Sequence, residues 1–308
     1  MSINIPQSSL PRVVIAGGGF GGLKLAQSLD SKLFQVVLID HHNYHQFPPL
    51  IYQVASSGLE PSSIAFPFRS AFRKKKNFLF RMAEVEGVDT LRNVLLTSVG
   101  EVHYDYLVLA CGGTTNFFGN EEIARHSLPM KTLYESINLR NVLLQNIEKA
   151  LVSDDEARRD ALLTVAIVGG GPTGVEIAGA LAEMKRYVLP KDYPYLDSSL
   201  FRIHLLDASP RLLQAMSEKS SKTAAQGLSE LGVEIHTGTM VSGYDGQILT
   251  LSDGTEMKTR TVIWVSGIVA NTIEGISAET LGRGKRILVD EHSQILGLTN
   301  VFAIGDQS

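Results

Sequence analysis

One cysteine in 308 residues is the first thing this chain has little of, and the scarcity excludes a class of chemistry. An internal redox dithiol needs two thiols that cycle, commonly spaced CxxC or CxxxxC. Cys111 stands alone, closing the apolar run Tyr106-Leu107-Val108-Leu109-Ala110 ahead of Gly112-Gly113, where burial accounts for it. Long hydrophobic runs are missing as well. The longest, Thr261 to Ala270, is broken by Ser266 and Gly267 and falls short of a membrane span. No secretory signal is visible, so a cytoplasmic protein, free or peripherally attached, is expected. A formal charge of −4 and 7% aromatic residues give no sign of nucleic-acid binding. The basic run Arg73-Lys74-Lys75-Lys76 is short and reads as a solvated face, with an anionic membrane surface as the alternative. Metal spacing is lacking too. His41, His42 and His45 lie close together, but after a strand end rather than on one helical face, so no metal site is expected.

Glycine is what the chain has in the right places. Val13-Val14-Ile15-Ala16-Gly17-Gly18-Gly19-Phe20-Gly21-Gly22 and Val165-Ala166-Ile167-Val168-Gly169-Gly170-Gly171-Pro172-Thr173-Gly174 each leave an apolar strand and enter a helix. A lone GxGxxG is a weak signal, but two in this context, each followed by a strand ending in Asp, are strong. In the first, Gly17 permits the tight turn, Gly19 lets backbone approach a pyrophosphate, and Gly22 lets the helix pack on the strand. Free amides at the helix start, backed by the helix dipole, favour the phosphate charge. Asp40 ends the strand Phe34 to Asp40, eighteen residues past Gly22, where it can accept both ribose hydroxyls. The plain alternative is a structural turn with Asp40 as a solvated strand end.

Gly169, Gly171 and Gly174 repeat the spacing, and Asp207 ends the strand Phe201 to Asp207. Here the gap is thirty-three residues, and the excess, Tyr187 to Pro194, reads as an inserted loop. Asp207 would repel a ribose phosphate, which favours NAD(H) over NADP(H); Arg211, behind Pro210, is a weak counter-argument. Glu176 is expected in the first turn of the second helix, where dipole stabilisation and a catalytic role both remain open.

Between the turns, Asn43 to Pro67 reads as irregular, Phe68 to Lys75 as a helix, and the next segment as short strands turning at Gly87 and Gly100. Leu133 to about Arg159 has helical spacing, with Leu139, Val142, Leu143, Ile147 and Leu151 on one side. A hairpin is expected around Asp245-Gly246, and the last strand is Val301 to Ile304. The fold class is therefore α/β, with two Rossmann-like dinucleotide-binding domains. The expected bounds are 1–130 with 285–308 for a discontinuous first domain, 160–275 for the second, and a connecting helix over 131–159.

Several segments together resemble the two-dinucleotide flavoproteins, of glutathione-reductase-like fold, over essentially the whole chain. The first turn is similar to their FAD site. Tyr104 to Gly112 is similar to their "ATG" strand, with Cys111 where Thr is usual. Asn300-Val301-Phe302-Ala303-Ile304-Gly305-Asp306 resembles their late strand, whose Asp contacts the FAD ribityl chain. The discriminating segment, Asn43 to Ala55, resembles type II NADH dehydrogenases, or NADH:quinone oxidoreductases. Gly170 to Gly179, Leu189 to Pro194, Asp207 to Leu213 and Thr261 to Gly267 agree with the same family.

The resemblance implies FAD held by Gly17, Gly19, Phe20, Gly21, Gly22, Asp40, His41, Ala110 and Asp306, with Gln46, Pro48, Leu50 and Tyr52 lining the isoalloxazine ring. It implies NADH held by Gly169, Gly171, Thr173, Gly174, Glu176, Asp207 and Gly267, and it tips Glu176 toward a catalytic role. The implied activity carries a hydride from NADH to FAD and two electrons on to a quinone, without proton pumping. The alternatives are an NADH-dependent reductase of a ferredoxin-like protein or small oxidant, and a flavin-binding redox sensor without turnover. Relatives continue past Gly305-Asp306 with a flavin cover, a quinone motif and amphipathic membrane-anchoring helices. A truncated form is thus expected, whose family sits on the cytoplasmic side of the membrane and allows a homodimer.

Overall fold

Val13, Val14, Ile15 and Ala16 are all buried, as the residues of a parallel strand covered on both faces must be. In the computed structural model, which describes residues 3–308, they form the centre of a five-stranded parallel sheet. Its strand order is Val301–Ala303, Tyr106–Leu109, Arg12–Ala16, Gln35–Asp40, Phe78–Met82. Alternation along these strands divides the core. Val14, Ala16, Val37, Ile39 and Leu107 pack on one face with Leu95 and Val102 of an antiparallel three-stranded sheet. Val13, Ile15, Val36 and Leu38 pack on the other with Ala26 of the helix Phe20–Ser28 and with Phe68 and Phe72. This first unit gathers the chain through Gln46, Ala65–Thr114 and Ile268–Ser308.

The second unit, Phe47–Ile64 with Thr115–Gly267, repeats the design. Its parallel sheet runs Leu128–Pro129, Thr261–Trp264, Thr164–Val168, Arg202–Asp207, Glu234–Thr237. The long helix Leu133–Leu151 starts on a capping box, in which Thr132 accepts from the Glu135 amide and Glu135 accepts from the Thr132 amide. Such a cap contributes about 1 kcal/mol. Buried Asn146 on this helix donates to Thr261 Oγ1 at 2.9 Å, tying helix to sheet.

These units differ from the bounds expected of the sequence. Chain return to the first unit comes at Ile268, and the segment Phe47–Ile64 groups with the second. The helix Leu133–Leu151 belongs to the second unit because Leu139, Leu143 and Ile147 are buried in it. That helix also stops earlier than expected. Asp155 caps a separate helix, Glu156–Leu163, by accepting from the Arg158 amide. Leu151, at the end, is 42% exposed rather than buried.

Tyr187 to Asp192 is helical rather than a loop. The helix Pro172–Glu183 continues through a π-helical turn, Met184–Val188, into Leu189–Asp192. Pro190 lies at the start of that last turn, where its missing N–H costs nothing. Other local readings shift similarly. The helix near Phe68 spans only Phe68–Ala71. Gly87 sits inside a strand at a register shift, close to the Glu274 carbonyl, rather than in a turn. Asn43 to Pro67 contains a strand pair, Tyr44–Gln46 with Ala65–Pro67, and the short helix Ile51–Ala55. The hairpin at Asp245-Gly246 joins Val241–Tyr244 to Ile248–Leu251.

Candidate functional site

In each unit the chain leaves the central strand on a glycine that no other residue could replace. Gly17 has φ +104° and Gly169 φ +124°. A Cβ on Gly17 would run into the Ala110 carbonyl, and one on Gly169 would lie 2.7 Å from the Val265 carbonyl oxygen. The third motif glycine closes the turn. A Cβ on Gly22 or Gly174 would collide with the carbonyl oxygen of Gly17 or Gly169, so the helix could not pack as it does. Between them, Gly19 and Gly171 face open space, with nothing within 4 Å of a Cβ built there.

Gly19 and Gly171 are also the N-cap residues of the helices Phe20–Ser28 and Pro172–Glu183. Neither helix has a side-chain cap, and neither carries an acid in its first turn. With no side chain over either helix start, an anion there would meet the positive end of the helix dipole. Room above the loop plus a helix start without a side-chain cap fit the pyrophosphate of a dinucleotide in both units.

The two aspartates are held the same way. Asp40 Oδ2 accepts from the Gly18 amide at 2.6 Å and Oδ1 from the His42 amide at 2.7 Å. Asp207 Oδ2 accepts from the Gly170 amide, and Oδ1 from the Ser209 amide at 2.7 Å. A carboxylate so oriented keeps lone pairs for ribose hydroxyls at the lip of the glycine loop.

The remaining expected FAD residues divide between the units. Phe20 and Gly21 open the first helix, and the Gly21 Cβ position faces Ile304. His41 is exposed, its Nδ1 3.8 Å from Asp40 Oδ1. Ala110 follows the strand Tyr106–Leu109 and donates its amide to the Ala16 carbonyl at 2.7 Å. Asp306 is exposed after Gly305. Gln46 ends a strand of the first unit, whereas Pro48, Leu50 and Tyr52 lie in the second, half-buried around the helix Ile51–Ala55.

In the second unit Thr173 and Gly174 lie in the first helical turn, and Gly267 has φ +149° with its carbonyl accepting from the Asn116 amide. Glu176 is not in the first turn. The helix begins at Pro172, which places Glu176 fifth, beyond the reach of a dipole role confined to the terminal turn. It reaches solvent, yet the protein around it raises its carboxyl above the ordinary glutamate range by desolvation.

Several further residues adjoin the first glycine turn. His45 Nδ1 lies 2.9 Å from the Gly18 carbonyl and its ring stands edge-on to Phe20, at 5.4 Å between centroids. Phe68 fills the space under Gly18, and no local signal points to it. Gln307 is fully buried; it accepts from the Cys111 amide at 2.8 Å and donates to the Asn271 carbonyl at 3.0 Å. Its position directly after Gly305-Asp306 was a usable clue. Burial, more than the nearby Asp40 charge, pushes the Cys111 thiol up to about 12, so it is inert at neutral pH.

Residues 11–308 match the family model described as pyridine nucleotide-disulphide oxidoreductase. The chain belongs to that family. It is 37% identical to the type II NADH:quinone oxidoreductase Ndh of Mycobacterium tuberculosis, over 96% of this chain and 67% of that protein. The type II NADH:quinone oxidoreductase NdhA of the same organism is 34% identical over 96% of this chain and 66% of its own length. A solved structure of NDH2 from Plasmodium falciparum in complex with NADH superposes with a TM-score of 0.90 at 23% identity, over 96% of this chain and 64% of that one. The chain thus spans about two thirds of the length of these relatives. Within the pyridine nucleotide-disulphide oxidoreductases it sides with type II NADH:quinone oxidoreductases, which makes it an oxidoreductase of the FAD- and NADH-using kind. Among the described residues, no helix is long and apolar enough to cross a membrane.

Proposed function

We propose that this chain oxidises NADH and passes the electrons to a quinone, with FAD on the first unit and NADH on the second. The observation that carries the reading is the repeated cradle, in which an open glycine turn, an uncapped helix and an amide-held aspartate recur in each unit. Bound FAD supplies the two-electron relay from NADH to quinone, chemistry that belongs to the cofactors.

The chain's residues supply position and charge. Asp40 orients one ribose and Asp207 the other, and the fixed charge of Asp207 disfavours a 2′-phosphate there. Gly17, Gly19, Phe20, Gly21, Gly22, His41, Ala110 and Asp306 complete the FAD site, with Gln46 of the same unit toward the ring. Gly169, Gly171, Thr173, Gly174 and Gly267 complete the NADH site. Glu176, clear of the dipole and of raised pKa, takes the catalytic role beside the NADH turn. Since a quinone is dissolved in the membrane, the reading carries with it peripheral attachment to a membrane surface.

An anaerobic titration tests the proposal. The flavin-loaded chain should bleach on addition of NADH but not NADPH, and a soluble quinone should restore its colour. Bleaching that only a ferredoxin-like protein or small oxidant reverses would replace the quinone. Bleaching without turnover would make the chain a sensor, and no bleaching at all would sink the oxidoreductase reading.

A further inference from the structure

His204 and His236 are thirty-two residues apart, too far for any ligand spacing to show, but the sheet sets them side by side. The strand Arg202–Asp207 pairs in parallel with the edge strand Glu234–Thr237, with His204 opposite Glu234 and His236 opposite Leu206. Residues two apart along a strand share a face, so His204, Glu234 and His236 converge on one side of the sheet edge.

Their atoms converge closely. His204 Nδ1 lies 3.2 Å from His236 Nε2 and 3.4 Å from Glu234 Oε2. All three ligand atoms lie within 4.8 Å of one another. A tetrahedral ion with bonds of about 2.0–2.2 Å to imidazole and carboxylate needs its ligand atoms roughly 3.3–3.5 Å apart. Two of the three separations are already near that range. Without an ion, His204 Nδ1 can carry only one proton between two partners, so the cluster is incompletely satisfied.

We propose that His204, Glu234 and His236 form a binding site for a divalent transition ion of the zinc class. Two imidazoles and one carboxylate suit zinc and its neighbours, whereas magnesium and calcium take all-oxygen sets. Three protein ligands leave a fourth position for water. The His204 side chain is 11% exposed and that of Glu234 53%, so one ligand is fixed in the fold and another opens the path to solvent. On binding, His204 takes the tautomer whose proton is on Nε2, so that Nδ1 offers a lone pair to the ion; His236 offers that of Nε2, and no electron is transferred. The ion would bridge the edge strand to the strand that ends at Asp207.

The other cluster of this kind among the described residues, Asp40 with His41 and His42, is differently committed. Asp40 already accepts from two backbone amides at the first glycine turn.

The test is a titration of the untagged full chain with Zn2+ alone, followed by calorimetry, and with Co2+ followed by its visible tetrahedral absorption. The expected result is one ion per chain with the cobalt bands present. Glu234→Gln, a substitution on an exposed side chain that leaves the fold intact, and His236→Ala should each weaken binding by on the order of 10- to 100-fold. That is the size of loss when even supporting partners of metal ligands are removed. Absence of binding would overturn the proposal. So would binding that both variants retain, or binding that His41→Asn abolishes instead.

Discussion

The two units are copies of one plan, and comparing them separates the parts that repeat from the parts that set each copy apart. Gly17, Gly19 and Gly22 correspond to Gly169, Gly171 and Gly174, and Asp40 to Asp207. The strand that meets the turn also repeats. Ala110 donates to the Ala16 carbonyl at 2.7 Å, and Val265 to the Val168 carbonyl at 2.9 Å. The glycine turns, the helix starts behind them and the amide-held aspartates are thus shared. The differences lie beside them. Lys24 stands where the second unit has Glu176, and Cys111, bonded to buried Gln307, stands where the second has Ser266. The first helix ends at Ser28, whereas the second runs on past a π-helical turn.

The largest expected effect breaks one copy while leaving the other. Gly22→Ala should strip the flavin and leave NADH binding, read by fluorescence, unchanged, with a stability loss of about 1–3 kcal/mol by calorimetry. Gly174→Ala should do the reverse. Loss of flavin from Gly174→Ala alone would exchange the assignments of the two units.

Next come the aspartates. Asp207→Ser removes charge-assisted hydrogen bonds of about 1.5–3 kcal/mol, so NADH affinity should fall by roughly 10- to 100-fold while NADPH gains relative to it. Asp40→Ala should weaken flavin retention and leave the NADH:NADPH ratio alone. Steady-state kinetics with both nucleotides checks this, and an altered ratio in Asp40→Ala would contradict the assignment.

Glu176 offers a smaller, pH-dependent contrast. Burial raises its pKa, so the folded chain binds its proton more tightly than the unfolded chain does. The stability this group contributes is full below the unfolded glutamate range and is lost as pH rises through the folded value. Glu176→Gln should flatten the melting temperature against pH just above the ordinary glutamate pKa, without lowering it at neutral pH. A Tm profile that keeps its slope would show that Glu176 is not the raised group.

The smallest effect is chemical silence. With its thiol pushed up to about 12, Cys111 should resist alkylation at mildly alkaline pH in the folded chain and react fully in denaturant. Mass spectrometry reads both states, and rapid labelling of native protein would place the thiol in an open environment.

Legibility in the sequence followed the range of the interaction. Gly17 to Gly22 and Gly169 to Gly174 declare themselves because a positive φ and a backbone clash exclude every other side chain, a constraint written into consecutive residues. The helical continuation through Asp192 is hidden in the sequence because Pro190 reads as a breaker until its place at the start of a turn is seen. Glu176 lies one turn later in the helix than its spacing from the glycines suggests, because the helix start depends on where the loop releases the chain. His45 and Phe68 lie at the first glycine loop through pairings that no local pattern encodes, whereas Gln307 is marked only by following Gly305-Asp306.

By itself the sequence determined the α/β class, the two dinucleotide turns with their aspartates, and the exclusion of an internal dithiol. Each of these is a matter of residue type at short spacing, where sterics and charge act along the chain. Only the tertiary structure decided where the units divide, which side chains underlie the loops, and that His204 meets His236. Those outcomes depend on strand register, and register brings together residues whose separation in sequence carries no trace of their contact.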